Sequence, residues 1–140
     1  MKHEDGPALG LIDLAERYVF SNVRRRLVIK GGATREEVPE IPREAIREAI
    51  ANAFCHRDYT VGFAVELNIS PDTVEIVNPG LFPEGDSPEN HIEGKVGAAS
   101  DPRNPLIANL LFRTGIIEQY GSGIPRIKRS CDAGLAASYR

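Results

Sequence analysis

The amino-acid sequence predicts an α+β domain, a two-layer sandwich in which helices pack on one face of a mostly antiparallel sheet. Two segments, about 8–21 and 42–55, carry apolar residues at helical spacing. A third segment, about 63–69, alternates apolar and polar residues, as a half-buried strand does. Pro71 and Asp72 then turn the chain into a second extended segment at about 73–77. Strands joined by so short a turn form an antiparallel hairpin.

The N-terminal half begins with an amphipathic helix over about 8–21, followed by less regular sequence. Residues 24–30 predict a short strand that ends at Gly31 and Gly32. The polar stretch 34–40 contains Pro39 and is predicted to be a loop. Pro42 suits the first turn of the next helix. One face of that helix is apolar at i, i+3, i+4 and i+7: Ile46, Ala49, Ile50 and Ala53.

The C-terminal half opens with a break at Asn78-Pro79-Gly80 and a segment rich in Gly, Pro, Ser and Asp. Loops of this length are commonly functional, and the residues from Gly80 to Ser100 are predicted to form a lid. Two helices follow, one over about 104–114 and one from near Gly123 towards 133–134. Asn104 and Pro105 suit the N-cap and the first position of the former, and Gly115 suits its C-terminal end.

Length and composition bound the class of protein. The 140 residues are enough for one domain, predicted to span 1–140, and the net charge of −3 argues mildly against nucleic-acid binding by the whole surface. Cys55 and Cys131 lie far apart and form no metal-binding pair. No apolar run approaches the roughly 18 residues of a membrane span, and residues 1–10 do not resemble a secretion signal. A cytoplasmic protein without a membrane partner is expected.

Glu48 and Asn52 are the first candidates for chemistry. They are four residues apart on the predicted 42–55 helix and therefore share a face, away from the Ile46 and Ile50 stripe. Most such pairs are simply a solvated helix face. The alternative is a magnesium–nucleotide site, in which Asn52 supplies an oxygen ligand and Glu48 orients or deprotonates a water molecule. Alanines on the same helix, at 45, 49, 51 and 53, permit close packing on more than one side.

The order of several motifs resembles a known family. The segment from Arg43 to Ala53 followed by His56-Arg57-Asp58-Tyr59 is similar to its first signature. Further marks follow in order: Val74 to Gly80, Arg103-Asn104-Pro105 with Ile107-Ala108, Gly115 to Glu118, and Gly121-Ser122-Gly123-Ile124 with Arg126-Ile127. On these residues the chain is identified as a member of the RecG-like "ATP-dependent DNA helicase C-terminal" or Schlafen/AlbA-associated transcriptional regulator family. The resemblance covers about 9–135.

The resemblance implies the ATPase fold of DNA gyrase, histidine kinases and MutL (GHKL), with ATP and Mg²⁺ as ligands. Glu48 matches the catalytic base of that superfamily, and Asn52 matches its magnesium ligand. Gly121, Ser122 and Gly123 resemble its phosphate-binding glycine box, which opens a helix. Four more residues are expected to line the nucleotide site: His56, Asn78, Gly80 and Arg103. For Arg103 a structural role beside the Asn104 N-cap is the alternative, and Asp58 is expected to be a cap or a salt-bridge partner.

The chain also departs from the superfamily. Asn78-Pro79-Gly80 stands where an aspartate–glycine box binds adenine, and the chain has no Gly-x-x-x-x-Gly-Lys-Ser/Thr loop of a helicase motor. A second hypothesis is therefore a regulatory module that has lost ATP and serves a DNA-binding regulator as a homodimer. The family resemblance implies that any DNA is bound by other domains of a longer protein, an N-terminal Schlafen/AlbA-like part and a C-terminal winged helix.

Overall fold

The computed structural model describes residues 2–29, 31–32, 34–81, 84–85, 87, 89–90, 102–117 and 123–138. The elements follow in the order α1 (Ala8–Asn22), β1 (Arg25–Ile29), β2 (Arg35–Pro39), α2 (Arg43–His56), β3 (Glu66–Ile69), β4 (Val74–Val77), α3 (Pro105–Arg113) and α4 (Gly123–Ser138). Strand β1 pairs antiparallel with β2, and β3 pairs antiparallel with β4. The predicted α+β class is confirmed, and its strands form two separate hairpins within the described residues.

Helix α2 lies at the centre of the molecule and contacts α1, α3, α4 and β4. Its side chains at Ala45, Ala51 and Ala53 are buried, which lets neighbouring elements approach it from several sides, as the sequence predicted. The core is formed by side chains from α1, α2, α3 and the turn that follows α3. These side chains are Ile12, Val19, Phe20, Ile46, Ile50, Phe54, Ala108, Leu111 and Ile117. Burial of these apolar side chains provides the main driving force for folding.

The β3–β4 hairpin covers this core with one of its faces. Leu67 lies opposite Ile76, and Ile69 lies opposite Val74, and all four pack against the core. Strand β3 begins three residues later than predicted, at Glu66, which pairs with Val77 at the end of β4. Earlier residues would lie opposite the Asn-Pro-Gly segment, where proline has no N–H to donate to a ladder.

The prediction of a loop over residues 34–40 was wrong, because Arg35–Pro39 forms β2. Its charged sequence lacks apolar alternation, but its backbone pairs with β1, with Leu27 opposite Glu37 and Ile29 opposite Arg35. Positive φ angles at Gly31 and Gly32, 36° and 84°, reverse the chain between the two strands. Both hairpin faces are largely exposed, so backbone pairing rather than burial defines this strand.

Helix α3 ends as the sequence predicted. Gly115 has φ +75°, and its N–H donates to the Phe112 carbonyl oxygen at 3.1 Å, while the Ile116 N–H donates to the Leu111 carbonyl oxygen at 3.0 Å. These bonds satisfy carbonyls that the helix itself leaves unpaired. Among the helices that the structure describes, none has the length and apolar character needed to cross a membrane.

Candidate functional site

Glu48 and Asn52 face the beginning of α4. Glu48 is only 5% exposed although it is charged, and Asn52 is partly buried. The interpretation of this pair as a solvated helix face was therefore wrong for Glu48. A carboxylate is buried at this depth only where other groups compensate for its lost hydration.

Gly123, the first residue of α4, lies directly against both side chains. A Cβ atom built on Gly123 would overlap the Asn52 amide nitrogen, and it would lie 2.9 Å from both Asn52 Oδ1 and Glu48 Oε1. The absence of a side chain at position 123 is what lets α4 approach α2 so closely. The tertiary structure thus brings the predicted carboxylate–amide pair and the end of the predicted glycine box into contact.

Arg126 compensates the buried charge of Glu48. Its Nη1 lies 3.4 Å from Glu48 Oε2, and the side chain of Arg126 is 23% exposed whereas that of Glu48 is 6% exposed. The sequence-based site did not include Arg126. Arg126 does belong to the last family mark of the sequence, and its spacing of three residues from Gly123 places both on one helix face.

The negative charge of Glu48 also acts on its own helix. The Cys55 thiol is buried, and this burial, together with the charge of Glu48, raises its pKa to about 11. The thiol is therefore protonated at neutral pH and behaves as a small apolar group in the core. Cys55 is a structural residue, as expected for a cysteine in these surroundings.

A second group of predicted residues meets at the C-terminal end of α2. Gly80 has φ +141°, and a Cβ built on it would lie 3.0 Å from the His56 carbonyl oxygen and 3.7 Å from Arg103 Cζ. The Asp58 N–H donates to the Pro79 carbonyl oxygen at 2.7 Å. The Asn-Pro-Gly segment thus packs onto the end of α2 at a position that requires glycine.

Arg103 joins this junction to the chain that leads into α3. It forms a salt bridge from Nη1 to Asp58 Oδ2 at 2.9 Å, and its Nη2 donates to the Leu81 carbonyl oxygen at 3.0 Å. Hydrogen bonds from the Thr60 hydroxyl and backbone N–H to Asp58, and then the charge of Arg103, lower the pKa of the Asp58 carboxyl. The salt-bridge role expected for Asp58 is present, and the phosphate-facing role of Arg103 stays a prediction.

Asn104 occupies the predicted N-cap position of α3 but makes no side-chain bond to its own helix. Its amide Nδ2 instead donates to the carbonyl oxygens of Arg57 at 2.8 Å, Cys55 at 3.0 Å and Phe54 at 3.4 Å. These carbonyls are at the end of α2, where no further helical N–H is available to them. Asn104 therefore caps the C-terminus of α2 and fixes α3 to it.

The other predicted site residues lie nearby or outside the described residues. His56 is exposed at the last position of α2, four residues beyond Asn52. Asn78 is partly buried, and its Oδ1 has no hydrogen-bond partner among the residues that the structure describes. Gly121, Ser122 and most of the predicted lid lie outside the described residues.

The donor types at the Glu48 face suit a magnesium–nucleotide complex in kind. An amide oxygen and a carboxylate are the oxygen donors that Mg²⁺ accepts, and a helix start with an arginine suits a phosphate group. No cluster of three or more His, Cys, Asp or Glu side chains arranged for a metal occurs in the described part of the chain. Since Gly123 leaves no room for even a methyl group, the site accepts such a ligand only if α4 moves.

Comparison with solved structures gives a protein of similar fold. The crystal structure of the DIP2311 protein from Corynebacterium diphtheriae is similar, with a TM-score of 0.74 and 27% identity over 90% of this chain. The match covers 25% of that protein, so this chain spans about a quarter of its length. No curated protein matches the sequence significantly.

The family comparison covers the second half of the fold. Residues 62–138, more than half of the chain, match the family described as "Putative ATP-dependent DNA helicase recG C-terminal". The matched range holds β3, β4, α3 and α4, and Glu48 and Asn52 on α2 precede it. The chain therefore belongs to this family of ATPase-like domains of RecG-like proteins.

Proposed function

We propose that the chain binds ATP with Mg²⁺ at the face of α2 where Glu48, Asn52 and Gly123 meet. The observation that supports this is the contact of Gly123 with Glu48 and Asn52, which lie about 70 residues earlier in the chain. A carboxylate, an amide and a helix start suit one ligand in common, a magnesium–nucleotide complex. Burial of a carboxylate costs free energy even when a cation is paired with it, so a functional role would explain why Glu48 is buried here. We propose it as a single domain of a longer RecG-like protein.

Each residue has a distinct role in this proposal. The Asn52 Oδ1 atom would be the protein ligand of Mg²⁺, and the start of α4 would bind phosphate. Glu48 orients a water molecule and accepts its proton, which makes slow ATP hydrolysis the associated reaction. Bound Mg²⁺ would neutralise charge on the phosphates. The C-terminal end of α2 is the side proposed for the nucleoside, and four predicted residues lie there: His56, Asn78, Gly80 and Arg103.

A regulatory module without ATP is the second candidate. The Asn78-Pro79-Gly80 segment favours it, because this segment replaces an aspartate box and packs tightly on the end of α2. Under this proposal the domain serves a DNA-binding transcriptional regulator by forming a homodimer, and other parts of the longer protein bind DNA. A stable dimer in the absence of nucleotide would favour this candidate.

A thermal-shift titration with ATP, ADP and a non-hydrolysable analogue, with and without Mg²⁺, tests the first candidate. A ligand at 100 times its dissociation constant stabilises the native state by about 2.7 kcal/mol. For a domain of this size we expect the melting temperature to rise by roughly 5–10 °C. The shift should require Mg²⁺, and Asn52→Ala should abolish it.

Asn109→Ala is the matched control, because Asn109 is exposed on α3 and is not among the residues proposed to bind nucleotide. It should retain the full shift with nucleotide. An Asn52→Ala variant with unchanged ATP affinity would refute the site assignment. If no nucleotide shifts the wild-type melting temperature at millimolar concentration, the regulatory candidate replaces the first.

A further inference from the structure

The ion pair between Arg126 and Glu48 does not by itself complete a nucleotide site. Arg126 Nη1 lies 3.4 Å from Glu48 Oε2, which is a loose pair compared with the 2.9 Å between Arg103 Nη1 and Asp58 Oδ2. Glu48 is nearly inaccessible, whereas the Arg126 side chain keeps 23% of its surface exposed. The arginine can therefore reach solvent more easily than the carboxylate can.

The same ion pair opposes the role proposed for Glu48. The Glu48 Oε2 atom that lies against Arg126 is one of the two carboxylate oxygens that would have to bind the water molecule. The contact with Gly123 also fills the space in front of Asn52. In this arrangement the candidate base is engaged, and the candidate magnesium ligand is covered by α4.

A phosphate group is a stronger partner for Arg126 than a single carboxylate is. It carries more negative charge, and its oxygens match the planar guanidinium donors in a bidentate manner. A nucleotide that enters between α2 and α4 therefore competes with Glu48 for Arg126. If Arg126 turned to the phosphate, its ion pair with Glu48 would be broken.

We propose that Arg126 is a phosphate-binding residue of this domain, and that its ion pair with Glu48 is the closed, self-inhibited form of the nucleotide site. This inference rests on the proposed nucleotide-binding function and adds the residue that opens the site. Nucleotide binding separates the start of α4 from Glu48 and Asn52 and transfers Arg126 from the carboxylate to the phosphate. The cost of breaking the closed form lowers the apparent affinity for nucleotide.

Two substitutions of the pair have opposite expected effects on affinity. Glu48→Gln breaks the ion pair but keeps the Arg126 side chain, so it should tighten binding of the non-hydrolysable ATP analogue about threefold to tenfold. Arg126→Gln breaks the same pair but also removes the guanidinium that would bind the phosphate, so it should weaken binding of the analogue at least about tenfold. Arg126→Lys keeps the charge without the bidentate geometry and should restore part of the affinity.

The measurement is calorimetric titration of the whole chain with the Mg²⁺-loaded analogue, and circular dichroism melts confirm that each variant folds. Arg129→Gln is the matched control, because Arg129 is an exposed arginine one turn further along α4. It should bind the analogue as the wild type does. Opposite shifts for Glu48→Gln and Arg126→Gln, with a neutral control, support the inference, because a purely structural ion pair would move both variants in the same direction.

The failures of the two proposals are distinguishable. If the wild type binds the analogue in an Asn52-dependent manner but Arg126→Gln matches Arg129→Gln, Arg126 does not bind phosphate and this inference alone is overturned. If both variants of the pair shift affinity in the same direction, the pair is a structural clamp and the inference is again overturned. If neither the wild type nor Glu48→Gln binds any nucleotide, the proposed function fails and this inference fails with it.

Discussion

The replacement of Asn104 by alanine tests how α2 is fixed to α3. The Asn104 amide donates to the carbonyl oxygens of Arg57 at 2.8 Å and Cys55 at 3.0 Å, with a longer contact to Phe54. The backbone N–H of Asn104 also donates to the Cys55 carbonyl oxygen at 2.9 Å and is unaffected by the substitution. The main effect of the substitution is therefore that the Arg57 carbonyl oxygen loses its hydrogen bond.

The expected magnitude follows from these bonds. A net hydrogen bond contributes about 1 kcal/mol, and a partly buried carbonyl left without a donor costs about 1–3 kcal/mol. We expect Asn104→Ala to lower the free energy of unfolding by about 2–3 kcal/mol. At roughly 3 °C per kcal/mol for a domain of this size, the melting temperature should fall by about 6–9 °C.

Urea denaturation followed by circular dichroism measures this change. Asn109→Ala serves as control, because it makes the same substitution at an exposed position of α3 and should change stability by less than about 0.5 kcal/mol. Asn104→Asp is a sharper variant, since a carboxylate cannot donate to the three carbonyls and repels them. It should be at least as destabilising as the alanine variant.

This prediction would be wrong if Asn104→Ala were as stable as Asn109→Ala. That result would mean that the end of α2 is satisfied by other donors. A change in the slope of the urea transition would instead indicate an altered unfolded or native state rather than the loss of these bonds.

Three further predictions follow from the described residues. Gly80→Ala should lower the free energy of unfolding, measured by urea denaturation, by about 1–3 kcal/mol, because φ at this position is +141° and the new Cβ would lie 3.0 Å from the His56 carbonyl oxygen. The control is Gly62→Ala, which should be nearly neutral because a Cβ at position 62 meets open space. The lowered pKa of Asp58 means that its stabilising effect is present above its unfolded value of about 3.9 and is lost as the pH falls through the folded pKa. Unfolding measured between pH 5 and pH 2 should therefore depend less on pH in Asp58→Asn, and an identical pH profile would contradict this. In native protein at pH 8, iodoacetamide should modify Cys131 faster than Cys55, whose pKa is raised to about 11 and which is 4% exposed; equal rates by peptide mass spectrometry would contradict the burial of Cys55.

Local sequence patterns predicted most of the helices and the β3–β4 hairpin. The stripe of Ile46 and Ile50 defined α2, and the alternation of Leu67 and Ile69 defined the buried face of β3. Such patterns are predictive because one face of each element must be buried whatever partner covers it. Strand β2 escaped prediction because its residues are held by backbone pairing and show no buried face.

Local patterns in the sequence predicted only part of the candidate site. The spacing of Glu48 and Asn52 places both on one face of a helix, and the glycines near position 123 predicted a helix start. The sequence predicted Asn104 as the N-cap of its own helix, whereas in the folded structure its amide donates to the carbonyls at the end of α2.

Motifs and hydrophobic periodicity predicted the family, the α+β class and the chemical types of the candidate ligands, because these patterns are properties of the residue order. The folded structure was needed to show that Glu48 is buried, that Arg126 is its partner and that Gly123 closes the face in front of Asn52. These three facts depend on the approach of α4 to α2. That approach is set by the packing of whole helices, which no local pattern in either helix contains.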